Sequence, residues 1–427
     1  MNILVIGSGG REHSLCWAIK KSPLLNYLFC APGNPGISEL AKCINIDIND
    51  NEKILNIAIK HKIDLVIIGP EKPLENGIID LLKKNNITAF GPTKKAAKLE
   101  SSKVFTKDFC KKYNIPTAKY EYFSDSRSAK NYIKKCNFPI VIKADGLASG
   151  KGVIISDTYS ESVNFIDKIF NGLFGEAGKT IIIEEFLEGE EASFFVLCDG
   201  KSILPLTSAQ DHKRVGDGDT GLNTGGMGAY SPAPIIDSEM EEKIVKKIIK
   251  PTVDGMNKEG SPFHGVLYAG LMISNGTPKL IEYNVRFGDP ECQTLMTRLK
   301  SDLISIIMAT CNSKLSETSI VWKNDFSLIV IMASKGYPEK FQNKTLIKGL
   351  ENLNNKNINL FHSGTKKIEN KIFSSGGRVL GLVANSKSIE EAQRNVYDSI
   401  KKIDWPEGFY RKDIGWRAIQ FFDKKTH

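Results

Sequence analysis

The sequence predicts a multidomain protein of mixed class, α/β at its start and α+β beyond, and three observations carry that reading. Over about the first hundred residues, apolar runs of strand length alternate with helical stretches, the pattern of an open parallel sheet. Near the middle, short strands flank glycine-rich loops, which suggests a small lid-like subdomain. After Ser313, further strands and a helix with one apolar face suggest a last α+β unit. The 427 residues leave room for roughly two to four compact domains.

Each element follows from its residues. NILVIG (2–7) is a buried strand, followed by a Gly-rich turn and a helix from about Glu12 to Lys20. DLVIIGP (64–70) and NITAFGP (86–92) are further strands of the same sheet. Ligands in such sheets bind beyond the C-terminal strand ends, where the loops GSGGREH (7–13), APGNPG (31–36) and GPE (69–71) lie. Thr93 to Lys112 is helical. PIVIKADG (139–146), GVIISD (152–157) and TIIIEEFL (180–187) are short strands. A Gly-rich segment (215–234) precedes a helix near Ser238 to Lys258. VLYAGLMI (266–273) and KLIEYNV (279–285) form a hairpin through SNGTP, because Asn-Gly favours tight turns. SLIVIMAS (327–334) and GGRVLGLVAN (376–385) are strands, and Ile389, Ala392, Val396, Ile400 and Ile403 line one helix face.

Composition excludes several classes. With 41% hydrophobic and 25% charged residues the chain is an ordinary folded protein, not a disordered one. No run of eighteen apolar residues exists, so no membrane span is expected. The N-terminus reads as a first strand, not as a signal peptide, and points to the cytoplasm. The net charge of +9 is spread along the chain, without the charge blocks or aromatic-basic alternation of a nucleic-acid surface. That excess would still steer anionic substrates. None of the eight Cys lies in a C-x-x-C pair, so reduced thiols are expected and a zinc site is not.

The most informative run is IEYNVRFGDPE (281–291). On a strand, Glu282 and Asn284 share one face while Ile281, Tyr283 and Val285 pack on the other. A carboxylate beside an amide oxygen suits Mg²⁺, which binds one or two protein oxygens together with nucleotide phosphates. Arg286 follows as a fork for carboxylate or phosphate, with Asp289 and Glu291 close by. The same run also fits an edge strand with a solvated polar face. GSGGREH opens a helix whose amides can hold a phosphate, or it is a tight turn; it lacks G-x-G-x-x-G spacing, which disfavours a nicotinamide dehydrogenase. KADGLASGKGV (143–153), with Lys143 and Lys151, is a flap able to fold over phosphates, or a hairpin with solvated lysines. EEFLEGEEASF (184–194) could offer backbone groups to an adenine edge and a carboxylate to a ribose. His212 is left structural. G-x-S-x-G, H-E-x-x-H and a cysteine-nucleophile motif are absent, so the candidate sites look built for anions and Mg²⁺, not for a covalent intermediate.

Ten runs in one order resemble the glycinamide ribonucleotide synthetase family of the ATP-grasp superfamily. They are VIGSGGREH (5–13), APGNPG (31–36), IGPEKPL (68–74), FGPTKKAAKLESSK (90–103), IKADGLASGKGV (142–153), EEFLEGEEASF (184–194), QDHKRVGDGDTGLNTGGMGAYSP (210–232), LYAGLM (267–272), IEYNVRFGDPE (281–291) and RKDIGWRAI (411–419). The resemblance implies a central ATP-grasp fold and a ligase that joins glycine to 5-phosphoribosylamine. ATP first makes glycyl phosphate, and the amine then displaces phosphate, giving glycinamide ribonucleotide and ADP in purine synthesis. It implies Glu282 and Asn284 as ligands of Mg²⁺ or Mn²⁺, and Lys103 and Lys143 as ATP-phosphate lysines. The lid loop is Gly146 to Gly152, including Ser149, Gly150 and Lys151. Glu184, Glu185, Phe186 and Leu187 resemble the adenine hinge, and Glu191 the ribose contact. Arg286, Asp211 and the run Asn223, Gly225, Gly226, Met227 and Gly228 would help hold glycine or the acyl phosphate, with Arg286, Lys143 and Asp211 as the catalytic set. Gly9, Gly10, Arg11, Asn34, Gly36 and Glu71 would help hold phosphoribosylamine. Cys292 stands where the family more often has Thr or Val, a packing change.

The expected division is 1–102 for a substrate-binding domain, 103–315 for the ATP-grasp region (lid about 120–192) and 326–427 for the C-terminal domain. A monomer is expected, without nucleic-acid or membrane partners, and no fused partner enzyme is expected after RKDIGWRAI. Rival readings are another ATP-grasp ligase, a catalytically silent nucleotide-binding protein and a basic RNA-binding module. QDHKR with NTGGMGAYSP argues against the first, intact Glu282, Asn284, Lys143 and Arg286 against the second, and missing recognition motifs against the third.

Overall fold

A computed structural model describes residues 1–147, 152–353 and 357–426. The N-terminal sheet holds β1 (Asn2–Gly7), β2 (Tyr27–Pro32), β3 (Lys42–Cys43), β4 (Leu65–Ile68) and β5 (Thr88–Phe90), all parallel, in the order β3-β2-β1-β4-β5. After Asn2 its first strand is apolar because both faces are covered: Leu4 and Ile6 enter one core, Ile3 and Val5 another. The helix Gly10–Ile19 begins two residues earlier than expected, since the Glu12 carboxylate turns back and accepts from the Gly9 N–H at 2.6 Å.

The lid is an antiparallel sheet of β6 (Tyr120–Phe123), β7 (Ile140–Ala144), β8 (Val153–Ser156) and β9 (Ile181–Glu185), ordered β6-β9-β7-β8. Ile140, Ile142, Ile181 and Ile183 pack with Ala129, Ile133 and Ile166 of the helices Ser126–Ile133 and Tyr159–Lys168. Ser149, Gly150 and Lys151, expected in the lid loop, lie outside the described residues.

The large sheet begins with β10 (Glu190–Asp199) and β11 (Ile203–Asp211). A separate ribbon, β12 (Arg214–Gly216) with β13 (Thr220–Asn223), leads to β14 (Gly228–Ser231). β15 (His264–Ser274) and β16 (Thr277–Asn284) make the expected hairpin. Towards the C-terminus follow β17 (Phe326–Ser334), β18 (Leu346–Ile347), β19 (Ile358–His362), β20 (Thr365–Ile368), β21 (Lys371–Ser374) and β22 (Arg378–Ser386). The order is β16-β15-β10-β11-β14-β17-β22-β19, so β14 carries the sheet from the central region into the C-terminal strands. The helix Ile389–Ile400 covers them with Ile389, Ala392, Val396 and Ile400, and Ile403 just beyond it joins the same core.

The helix Glu291–Arg298 is buried along its whole length between the helix Gly10–Ile19 and the large sheet. Most of its polar side-chain atoms are bonded internally: Gln293 donates to Asp289 at 2.9 Å although its Oε1 is left without a partner, and Arg298 donates to Ser231 and Thr207 at 2.8 and 2.9 Å. The eight cysteines carry no disulfide, and Cys292 is buried against Ser14. Among the described residues no helix is long and apolar enough to cross a membrane.

Candidate active site

A cavity of about 630 Å³ opens where the N-terminal sheet, the lid and the large sheet meet, as expected beyond strand ends. One part of its wall is apolar: Val141, Val153 and Ile155 from the lid, Phe186 and Leu187 after β9, and Met272 and Ile281 from the β15–β16 hairpin. The rest is densely charged.

Strand β16 supplies the centre. Gly270 pairs with Glu282 and Leu271 with Leu280, so Ile281 is an extra residue in a bulge. The simple alternation therefore holds for Tyr283 and Val285, which are in the core, but not for Ile281, which turns to the cavity. Glu282 and Asn284 line that cavity with no hydrogen bond or ion pair from their side chains to any described residue. Burial works against the Glu282 charge, but Lys213, Lys143, Lys103 and Arg286 outweigh it and hold the carboxyl below its ordinary value. An ionised carboxylate with open lone pairs beside an amide oxygen fits a hard cation that keeps waters and phosphates as its other ligands. Among the described residues no three His, Cys, Asp or Glu cluster into a larger metal cage.

The cations are mostly pre-paired. Glu184 sits between Lys107 at 3.1 Å and Lys143 at 3.0 Å, all three almost fully buried. Its Oε1 meets Lys143 off the hydrogen-bond direction, so that pair is ionic without a hydrogen bond. Lys103 donates to the carbonyls of Asp145 and Gly146 at 3.5 and 3.4 Å, and burial lowers its pKa. Lys213 pairs with Glu191, the expected ribose contact. Arg286 spans Glu100 at 2.9 Å and Glu71 at 3.3 Å and donates to the Phe287 carbonyl at 3.2 Å. Burial pushes Glu100 up to about 6 although Arg286 pulls the other way. Arg378, from the start of β22, donates to the carbonyls of Gly225 and Asp289, both at 2.6 Å, and so ties two cavity loops together. Burial and the Glu291 carboxylate push Asp211 well up, and its Oδ1 is buried without a hydrogen-bond partner.

Three family descriptions match successive parts of this chain: the phosphoribosylglycinamide synthetase N domain over residues 1–100, its ATP-grasp (A) domain over 101–292 and its C domain over 327–417. The chain belongs to the phosphoribosylglycinamide synthetase family. The phosphoribosylamine–glycine ligase of Brucella melitensis is 52% identical over 421 residues, covering 98% of this chain and 99% of that protein. The Escherichia coli ligase is 48% identical over 425 residues, with 98% and 99% covered. The crystal structure of the Thermotoga maritima ligase superposes with a TM-score of 0.84 at 33% identity, over 97% of this chain and 100% of that one. The biotin carboxylase domain of Hydrogenobacter thermophilus 2-oxoglutarate carboxylase, at 17% identity, shares the fold with a TM-score of 0.74 over 96% and 91%.

Of the residues singled out from the sequence, Arg11, Glu71, Lys103, Lys143, Gly152, Glu184, Glu185, Phe186, Leu187, Glu191, Asp211, Asn223, Gly225, Glu282, Asn284 and Arg286 line the one cavity. Others stand behind its wall for packing reasons. A Cβ on Gly10 would lie 2.7 Å from Ser363 Oγ, and one on Gly36 2.7 Å from His362 Cδ2. Gly9 is held by Glu12. Asn34 spends its amide on the carbonyls of Ser8 and His362, both at 2.8 Å, and on the Ile37 N–H at 2.9 Å. Gly146 abuts Ala177, and Gly226, at φ +107°, makes room for Asp211. The Met227 side chain is in the C-terminal core and its N–H donates to the His212 carbonyl, while Gly228 opens β14 against Ile329. The amides of Gly225 and Gly226 are likewise taken, by Tyr337 and Thr224 at 3.0 Å each. His212 is fully buried, and its Nε2 accepts from Gly415 at 3.1 Å.

Sequence reasoning missed Glu100, Lys107, Lys213 and Arg378. Lys107 was findable, four residues after Lys103 on one helix face. Lys213 stood inside QDHKR, next to the histidine that drew attention. Arg378 gives no local signal, since its partners lie 89 and 153 residues away.

Proposed function

We propose that this protein joins glycine to 5-phosphoribosylamine at the expense of ATP, forming glycinamide ribonucleotide, ADP and phosphate through glycyl phosphate. The observation that carries the reading is the cavity in which unpaired Glu282 and Asn284 face Lys103, Lys143 and Arg286, in a chain of this family. The apolar wall around Phe186, Leu187 and Met272 receives the adenine, and Glu191 the ribose. Lys103 and Lys143 neutralise the phosphates, so the transferring phosphoryl group meets fixed positive charge that needs no rearrangement. Glu282 and Asn284 hold Mg²⁺ or Mn²⁺, which when bound neutralises phosphate charge.

Arg286 keeps roughly two of its five N–H groups for the glycine carboxylate or acyl phosphate, the others being used within the protein. Asp211 stands opposite as an acceptor for substrate N–H groups. Arg11 and Glu71, at the N-terminal sheet, face the phosphoribosylamine. Residues 1–102 form the substrate-binding domain, 103–315 the ATP-grasp region and 326–427 the C-terminal domain. The enzyme works as a cytoplasmic monomer, without nucleic-acid partners.

The test is ADP release with Mg²⁺–ATP, omitting glycine or freshly made phosphoribosylamine in turn. Release that needs both, with glycinamide ribonucleotide formed in step, supports the reading. Release indifferent to glycine refutes it and points to another carboxylate.

A further inference from the structure

The run RKDIGWRAI has no part in the reaction proposed above, yet it is bonded along its length to the β12–β13 ribbon. Arg411 is 1% exposed. It donates to Asp219 Oδ1 at 2.8 Å and the Arg214 carbonyl at 3.0 Å, and its Nε and Nη2 grip the two oxygens of Asp413 at 2.8 and 2.7 Å. Asp413 in turn accepts from the Gly218 N–H at 2.8 Å, and Asp217 from the Lys412 N–H at 2.8 Å. Arg417 donates to Asp219 Oδ2 at 2.6 Å. A two-stranded ribbon is marginal by itself in water. This one adds little core, since Thr220, Gly221 and Leu222 are exposed. The bonds to 411–417 therefore hold it in place.

What the ribbon faces gives those bonds a purpose. Arg214, Asp219 and Asn223 line the main cavity, as does Arg417. A second cavity of about 560 Å³ separates Gly221, Leu222 and Asn223 of the ribbon from Val153, Ile154 and Phe186 at the lid. Leu222 is 50% exposed and borders that gap, as does the lid residue Ile154.

We propose that the 411–417 segment holds the ribbon as the second wall of the active site, against which the lid closes, with Arg411 as the positioning residue. The inference rests on the proposed glycyl phosphate. If the wall is loose, water attacks the acyl carbon, the bond from that carbon to the phosphate oxygen breaks, and glycine and inorganic phosphate are returned. ATP is then spent without product.

Arg411→Lys keeps the charge but loses the fork that spans Asp219 and Asp413. Asp413→Asn weakens the same grip from a carboxylate that does not line the cavity, and it decides the matter if the buried variant fails to fold. ADP and glycinamide ribonucleotide are measured in one sample with both substrates, beside the melting temperature. For either folded variant we expect ADP per product to rise about threefold or more over the parent while ADP release still requires glycine, as for a lost closing step. An unchanged ratio, with rate or melting temperature merely lowered, overturns the inference and leaves the network structural. Parent enzyme that releases ADP without glycine refutes the proposed reaction instead, a separate and recognisable result.

Discussion

Acid should open the seam between the helix after the first Gly-rich loop and strand β19. His13 Nδ1 accepts from the His362 N–H at 2.8 Å, and the two rings lie 5.8 Å apart. Burial, and then the neighbouring His362, push His13 down to about 3; burial pushes His362 down to about 4. The unfolded chain binds protons at both near 6.5, while the folded chain stays neutral there. Stability from each is thus present above about 6.5 and lost as the pH falls toward the folded values. Between pH 7.5 and 5 the loss is about 2 kcal/mol per histidine, about 4 for the pair. Both folded values lie well below 5, so this figure depends little on them. The assay is denaturant unfolding across that range, for the parent and for His13→Asn, which keeps an acceptor but cannot titrate. The variant should show a slope shallower by about 1 kcal/mol per pH unit between 5 and 6. Equal slopes would mean that His13 is already protonated or solvated in the fold, and the reasoning fails.

Glu282→Gln should cut turnover by about a hundredfold or more with melting unchanged; near-normal activity in that variant removes the metal-ligand role. Lys107→Met leaves Glu184 with one partner instead of two in a buried site, and denaturant midpoints should report about 3 kcal/mol of lost stability. A loss under about 0.5 kcal/mol would show the pair to be solvated. Gly36→Ala presses a methyl against His13 and His362 and should cost about 1–3 kcal/mol. If it instead raises the Michaelis constant for phosphoribosylamine at full stability, Gly36 contacts substrate and is not merely a packing residue.

Local chemistry was legible and long-range assembly was not. NILVIG announces a strand buried on both faces because after Asn2 it has no polar side chain for a solvent face, and β1 is that strand. YLFCAP pairs with β1 along its length yet gives a weak strand signal, because an exposed Tyr27 opens it and a proline closes it. Glu282 and Asn284 could be placed together from a period of two, but the bulge at Ile281 depends on the partner strand and has no mark in the run itself. GSGGREH, APGNPG and NTGGMGAYSP fit ligand loops and plain turns alike. Gly10, Gly36 and Gly228 instead admit Ser363, His362 and Ile329 from elsewhere in the chain, and such neighbours are invisible to a local pattern.

The overall charge of +9 suggested steering of anions, but the cavity itself does not carry that excess. Among the described residues its wall holds nine Lys and Arg against ten Asp and Glu. Burial and Glu291 push Asp211 toward the protonated form, while Glu100, raised only to about 6, stays mostly ionised at neutral pH, so the wall comes out close to neutral. A nucleoside triphosphate with roughly four negative charges would meet little net attraction there, and desolvating it would be costly. Two features resolve this. The lysines stand ready, each on a protein partner, so a phosphate that replaces such a partner adds no newly buried cation. Glu282 stays ionised without any partner, and a divalent ion held there would supply the missing charge beside the phosphates. The arrangement therefore predicts that nucleotide and metal bind together: titration calorimetry should find ATP affinity lower by about tenfold or more without divalent cation. In Glu282→Gln that difference should collapse. Equal affinity for free and metal-bound ATP in the parent would show that the lysines suffice and that Glu282 serves another purpose.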